Sequence, residues 1–322
     1  MNRRLHAAAG VLSALALMEF GESAKAASWQ NFTSTNQPTV DNGGLSVPIG
    51  GNALIAACED PSDAGYYDLM VLGESSNSKG HHLSVMEPAT FGNPGYEWSG
   101  SSEYYKGISI SSGGLPLYPQ WFGWTGVGGL YENNTSLGIG PGISQGVATS
   151  AWYGRIFVLE DAQCAAGGNP HGNCVSTDIV AYGYLGSMNG SPGAAQITDD
   201  GVSSLSELIY AVDNAGAVWT YSLSSGNWQS LPMNLCGGSG SLVAGQIAVT
   251  NNTIFALQET KPNPGGHAGG AVYQYLTDRC WSKISPLAAF LSIAPMNQAA
   301  FADTSIYLWA TDILGEIYYY HD

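Results

Sequence analysis

Charge is scarce in this sequence, and positive charge scarcest. Asp, Glu, Lys and Arg make up 11% of the 322 residues, with 9 Lys or Arg against 25 Asp or Glu and a net charge of −16. So acidic a chain repels nucleic-acid phosphates and anionic membrane surfaces, which argues against both as partners. Beyond the N-terminus no apolar run approaches the roughly 20 residues that a membrane-spanning helix needs. No H-E-x-x-H, P-loop or C-x-x-C pattern occurs, so no metal or phosphate motif is available, no catalytic residue is nominated and no cofactor is implied. Helical periodicity is also lacking outside the first residues. Aromatic and β-branched residues run throughout, which excludes disorder.

The N-terminus carries what the rest lacks. Arg3 and Arg4 precede an apolar stretch from Ala7 to Met18, and Ala24-Lys25-Ala26 has the small-x-small form of a cleavage site. The expectation is a signal peptide over residues 1–26 and a single domain over 27–322, secreted or periplasmic. Cleavage would remove three basic and two acidic residues and leave a net charge of −17. Five cysteines suit an oxidising compartment. Cys164 and Cys174 flank a Gly/Asn/Pro loop that a disulfide would pin. Cys58, Cys236 and Cys280 allow at most one more bridge, with the pairing open.

What the chain has in quantity is glycine, 43 residues, and aromatics, 11%. These suit short strands joined by tight turns. The clearest unit is residues 208–232, LIYAVDNAGAVWTYSLSSGNWQSLP. It reads as a strand, an Asp-Asn-Ala-Gly turn, an alternating strand, a second turn and a Trp strand. TIFALQ (253–258) with AVYQYLTDRCWSKISP (271–286), SIYLWATDILGEIYYYHD (305–322) and RIFVLED (155–161) with DIVAYGYL (178–185) repeat it. NALIAACED (52–60) with YYDLMVLGES (66–75) reads as a diverged copy.

Anchored on Ile55, Ile156, Ile209, Ile254 and Ile306, the last three spacings are 53, 45 and 52 residues, and the first gap leaves room for one irregular unit over about 90–143. Six units of about 50 residues predict an all-β, six-bladed β-propeller of mostly four-stranded blades. The last unit stops before its Trp strand. Ser28-Trp29-Gln30-Asn31-Phe32 resembles NWQSL and CWSKI, so the N-terminal strand is expected to join the last blade and close the ring.

The unit at 208–232 resembles a tectonin-type propeller repeat, which pairs a strand, an Asp/Asn-Gly turn, an aromatic strand and a Trp strand. The likeness is partial over 246–286, 299–322 with 28–32, and 146–185, weak over 45–87 and nearly absent over 90–143. It implies sugar or cell-surface binding, since several tectonin-like proteins are lectins. Fucose-binding six-bladed lectins reuse an Arg in each sugar site. Beyond the leader this chain has only Arg155 and Arg279, so that narrower resemblance fails.

Three long connections, Glu59 to Tyr66, Asp161 to Thr177 and Thr260 to Gly270, read as loops between second and third strands, raised on one face of alternating blades. His171 and His267 stand in two of them and are candidate ligand-binding residues. His81-His82 is a weak metal pattern. Glu59, Asp60 and Asp63 form an oxygen-rich loop of the kind that can hold Ca²⁺. The irregular second unit crowds Tyr96, Trp98, Tyr104, Tyr105, Tyr118, Trp121, Phe122, Trp124 and Tyr131. Flat rings beside Gly and Asn suit sugar recognition, which makes Trp98, Tyr105, Trp121 and Trp124 candidate ligand-binding residues. The leading expectation is a non-catalytic, lectin-like protein that binds carbohydrate or cell-surface glycans. The alternatives are a glycan-active hydrolase or lyase with its site in the channel, and an extracellular protein-interaction scaffold.

Overall fold

The computed structural model describes residues 28–32, 39–41, 46–48, 54–59, 67–77, 80–88, 96–111, 120–125, 130–132, 135–136, 144–149, 156–160, 178–180, 194–199, 208–213, 215–222, 224–250, 253–259, 269–286, 289–297 and 306–321; none of these is helical. The strands of the N-terminal half are β1 (Ser28–Asn31), β2 (Thr39–Asp41), β3 (Ser46–Pro48), β4 (Leu54–Glu59), β5 (Tyr67–Asn77), β6 (Gly80–Pro88), β7 (Tyr96–Tyr105), β8 (Gly107–Ser111), β9 (Gln120–Trp124), β10 (Leu130–Glu132), β11 (Thr135–Ser136) and β12 (Ser144–Thr149). They continue as β13 (Ile156–Glu160), β14 (Asp178–Val180), β15 (Ala194–Asp199), β16 (Leu208–Asp213), β17 (Val218–Ser222), β18 (Asn227–Ser230), β19 (Ala244–Thr250), β20 (Thr253–Gln258), β21 (Val272–Tyr275), β22 (Trp281–Lys283), β23 (Phe290–Asn297), β24 (Ile306–Asp312) and β25 (Ile317–His321).

Apart from the hairpin β2–β3, these strands form antiparallel meanders in chain order: β4–β7, β8–β11, β12–β14, β15–β18, β19–β22, and β23–β25 with β1 on its outer edge. β1 pairs with β25 antiparallel, Ser28 opposite His321 and Trp29 opposite Tyr320. The first strand of each meander touches the first strand of the next, from β4 through β8, β12, β15 and β19 to β23. β23 in turn runs parallel to β4, with Met296 opposite Ala57.

Both faces of a meander are buried, and alternate residues of one strand serve different neighbours. On β24, Leu308 and Ala310 pack with Ala248, Phe255, Leu257 and Val272 of the meander before. Trp309, one residue out of phase, packs with Ile55, Leu69 and Val71 of the meander that follows it in space. On β20, Ile254 and Ala256 join Tyr210 and Val212, whereas Phe255 and Leu257 join Phe290 and Ile293. A period of two with both faces apolar is the pattern of a sheet sandwiched between sheets.

The first strands carry a shared irregularity. The pairs β12·β13, β15·β16, β19·β20 and β23·β24 each lose register once, between Ser144 and Gly146, Ala194 and Gln196, Ala244 and Gln246, and Phe290 and Ser292. A bulge bends its strand and re-aims the next side chain. In the last two meanders that side chain reaches the next one. Gln246 Oε1 accepts from Ile293 N–H at 2.9 Å, and Ser292 Oγ accepts from Ile55 N–H at 3.4 Å.

The structure corrects the phase of the first repeat. β4, which holds Ile55, is the first strand of its meander, whereas Ile209, Ile254 and Ile306 stand on second strands. Where side chains are described, as on β19 and β20, first and second strands are both buried on both faces, so their apolar runs look alike in sequence. Residues 60–66 therefore link a first to a second strand. The connections after β13 and β20 link a second to a third strand instead, so the three do not hold equivalent places in the repeat; the loops themselves lie outside the described residues. The irregular unit is also divided. Tyr96–Tyr105 is the outermost strand of the first meander, and only Lys106 separates it from β8 of the second.

Candidate binding surface

Two turns between second and third strands are built alike. Asp213 Oδ1 accepts from Ala215 and Ala217 N–H, both at 2.9 Å, and Asp312 Oδ1 accepts from Leu314 and Glu316 N–H, both at 2.9 Å. Gly216 and Gly315 hold φ of 77° and 80°, which a side chain would strain. These carboxylates are occupied in shaping turns. Asp213 Oδ2 also accepts from Trp219 Nε1 at 2.8 Å. At the matching place after Asp312 stands Tyr318, whose hydroxyl donates instead to Glu316 Oε2 at 2.6 Å. Burial pushes the Asp312 carboxyl above the ordinary carboxylate value. Burial and the bond to Glu316 push the Tyr318 phenol well above its usual range.

The outer strands repeat a cross-strand pair. Trp228 faces Tyr221, Trp281 faces Tyr275 and Trp29 faces Tyr320, with ring centroids 5.0, 5.0 and 5.2 Å apart. Trp281 Nε1 donates to Pro232 O at 2.9 Å and Trp29 Nε1 to Ile284 O at 3.2 Å, so each indole ties its outer edge to the chain leaving the preceding meander. Trp228 Nε1 is buried without a partner.

On the last meander the outer edge becomes an aromatic and polar surface. Tyr319 and His321, two residues apart on β25, lie side by side with ring centroids 5.3 Å apart. Behind them Trp309 is buried, 5.4 Å from Tyr319, and Phe32 stands edge-on to Trp309 at 5.3 Å. Gln30 and Ser28, both exposed on β1, complete the cluster: Tyr319 OH donates to Gln30 Oε1, and Ser28 Oγ is 3.4 Å from His321 Nε2. Half-exposed rings, an amide and a hydroxyl thus share one surface. The sequence signal was the alternation Tyr319, His321 in IYYYH opposite Ser28 and Gln30 in SWQN; only their pairing across the two chain ends makes it a cluster.

Tyr105 is 1% exposed and packs with Met70, Leu72 and Leu83, edge-on to Tyr131 at 5.8 Å. Its ring covers Gly123, where a Cβ would collide with it. Trp124 is half-buried, lies across Gly107 in the same manner, and has Nε1 buried without a partner. Trp121 stands on β9 opposite Ile110, and Trp98 on β7 opposite Met86. His81 and His82 stand on β6 opposite Tyr105 and Tyr104. His171, His267, the Cys164/Cys174 pair, the Asp60 to Asp63 loop and the leader lie outside the described residues.

Of the three cysteines left open, Cys236 and Cys280 form a disulfide with Cα atoms 5.0 Å apart. Asp278 lies beside them, but the two sulfurs are bonded to each other and are spent as metal ligands. Gly142-Ile143-Ser144-Gln145-Gly146 fits G-x-S-x-G. Ser144, however, opens strand β12 at a bulge, where a nucleophile elbow requires a turn into a helix. No helix among the described residues is long and apolar enough to cross a membrane.

No protein-family model matches this sequence, and no curated protein matches it. Among solved structures, the chain is similar to the β-propeller domain of Cps50 (Swd1) from Myceliophteria thermophila, at a TM-score of 0.46 and 9% identity over 87% of this chain and 85% of that one. It is similar also to the WD40 β-propeller domain of Doa1, at a TM-score of 0.44 and 8% identity over 83% of this chain and 78% of that one. Both likenesses are too distant to identify a family.

Proposed function

We propose that this chain is an exported, non-catalytic binding protein: a closed six-bladed propeller of tectonin-like repeats that recognises neutral carbohydrate at the outer edge of its last blade. The contact of successive first strands, with β23 returning beside β4, supports six blades and a ring. β1 on the free edge of β25 supports closure by the N-terminal strand.

The cluster of Tyr319, His321, Gln30 and Ser28 carries the binding reading. Ring faces pack against the C–H face of a sugar, while the amide and hydroxyl exchange hydrogen bonds with its hydroxyls. The net charge of −16 favours uncharged glycans over sulfated or phosphorylated ones. Among the described residues, Asp213 and Asp312 are committed to shaping turns and lend the channel-hydrolase reading no support.

A glycan array probed with the wild-type chain and with Tyr319→Ala tests this. Signal from neutral glycans that Tyr319→Ala removes supports it. Binding confined to anionic glycans, undiminished binding by Tyr319→Ala, or turnover of a polysaccharide overturns it.

A further inference from the structure

The exposed large hydrophobic residues among those described are Val243, Ile313 and Leu314, at 41%, 38% and 74% of full exposure. All three lie on one face. Val243 immediately precedes first strand β19, and Ile313 and Leu314 form the turn between second strand β24 and third strand β25. In an antiparallel meander, first strands begin on the face where second strands end.

Backbone bonds link these sites along the rim. Ala244 N–H donates to Gly216 O and Glu259 N–H to Val243 O; Gly270 and Phe290 exchange two bonds; Ile313 N–H donates to Ala289 O. Val243 Cγ1 sits where a Cβ on Gly216 would fall, and the backbone that carries Leu314 is fixed by the bond from its N–H to Asp312 Oδ1. An ordered turn that presents apolar groups loses little backbone freedom on binding.

We infer that this rim docks a protein segment that presents apolar anchors beside Lys or Arg. Aliphatic side chains offer a sugar neither a ring face nor a hydrogen bond, so the rim is a second surface, independent of the Tyr319 cluster. Glu259 and Glu316 stand on the adjoining turns, Lys283 ends the outer strand β22 toward the same face, and the whole chain is at −16. A basic partner complements that charge, while an anionic bilayer is repelled.

The test is fluorescence anisotropy of a labelled amphipathic Leu/Lys peptide with the full chain. Expected is binding that weakens as salt rises and is at least about tenfold weaker for Val243→Ser/Leu314→Ser, with an unchanged melting temperature. Glu259→Lys, a single exposed change, also weakens it, and Tyr319→Ala leaves it intact. Several results overturn the inference: no binding, equal binding of an oligo-lysine of the same charge, or undiminished binding by either rim variant. Loss of binding in Tyr319→Ala, or capture of phosphatidylcholine vesicles through the same side chains, overturns it as well.

Discussion

Trp29 and Tyr320 stand directly opposite one another with ring centroids 5.2 Å apart, although 291 positions separate them in sequence. Trp29 also stacks on Phe290 at 4.9 Å and donates to Ile284 O. One side chain near the N-terminus therefore fastens the outer edge of the last meander to the meander before it. Trp29→Ala is expected to cost about 2–4 kcal/mol, less than the loss of a fully buried Trp because Trp29 is half-buried. Thermal melting should fall on the order of 10 °C. Gln30→Ala, exposed on the same strand, should leave melting nearly unchanged while weakening glycan binding.

The turn aspartates should tell acceptor from charge. Asp312→Ala removes the oxygen that Leu314 and Glu316 N–H share, and should destabilise by about 1–3 kcal/mol for the donors left unpaired. Asp312→Asn keeps an acceptor and should be far milder. The pH dependence has a definite sign. Burial raises the carboxyl above its unfolded value, so the folded state binds the proton more tightly and wild-type stability from this group rises as pH falls through that raised value. Asp312→Asn has no such titration. Its stability relative to wild type should be highest at neutral pH and should decline toward about pH 4, as read from denaturant midpoints across pH.

The glycines beneath aromatic rings should resist enlargement. Gly107→Ala pushes a methyl into the Trp124 ring, and Gly123→Ala pushes one into Tyr105. Each should cost about 1–3 kcal/mol by overpacking. Pairing Gly107→Ala with Trp124→Ala should cost less than the two singles combined, because the collision is then gone. Equal additivity in urea melts would show that the ring does not rest on that glycine.

The Cys236–Cys280 bridge closes a separation of 44 residues between the crossover into the fifth meander and that meander's last turn. On a chain-entropy basis, the double change Cys236→Ser/Cys280→Ser should cost about 4 kcal/mol. Beside it, Cys236 N–H donates to Trp281 O and Trp281 N–H to Asn234 O. Hydrogen exchange at these two amides should rise with the loss of the bridge, ahead of amides in β16 and β24.

Much of this architecture was legible along the chain because strands alternate with period two and turns carry fixed chemistry. The Asp-x-x-Gly turns at Asp213 and Asp312 were visible as local patterns, and the likeness of SWQNF to NWQSL located β1 on β25. The phase of the first repeat was not legible. Leu54 to Cys58 of β4 is an apolar run like Leu69 to Leu72 of β5, and such a run does not say whether it is a first or a second strand.

The candidate surfaces were less legible than the fold. Tyr105 and Trp124 were conspicuous as aromatics, yet their rings lie over glycines, because a glycine opposite a ring leaves a space that packing fills. Tyr319 and His321 were inconspicuous, and acquire the amide and hydroxyl beside them only when Gln30 and Ser28 arrive from the other end of the chain.

The sequence by itself determined the period-two strands of the clearer repeat units and the Asp-x-x-Gly turns that need positive φ at Gly216 and Gly315. Tertiary structure alone decided which cysteines pair, which aromatics are core and which are surface, and where the exposed aliphatic groups gather. Strand and turn preferences act between neighbours a few residues apart. Burial, disulfide pairing and surface clusters depend on which distant segments share an edge, and that follows only from how the sheets pack against one another.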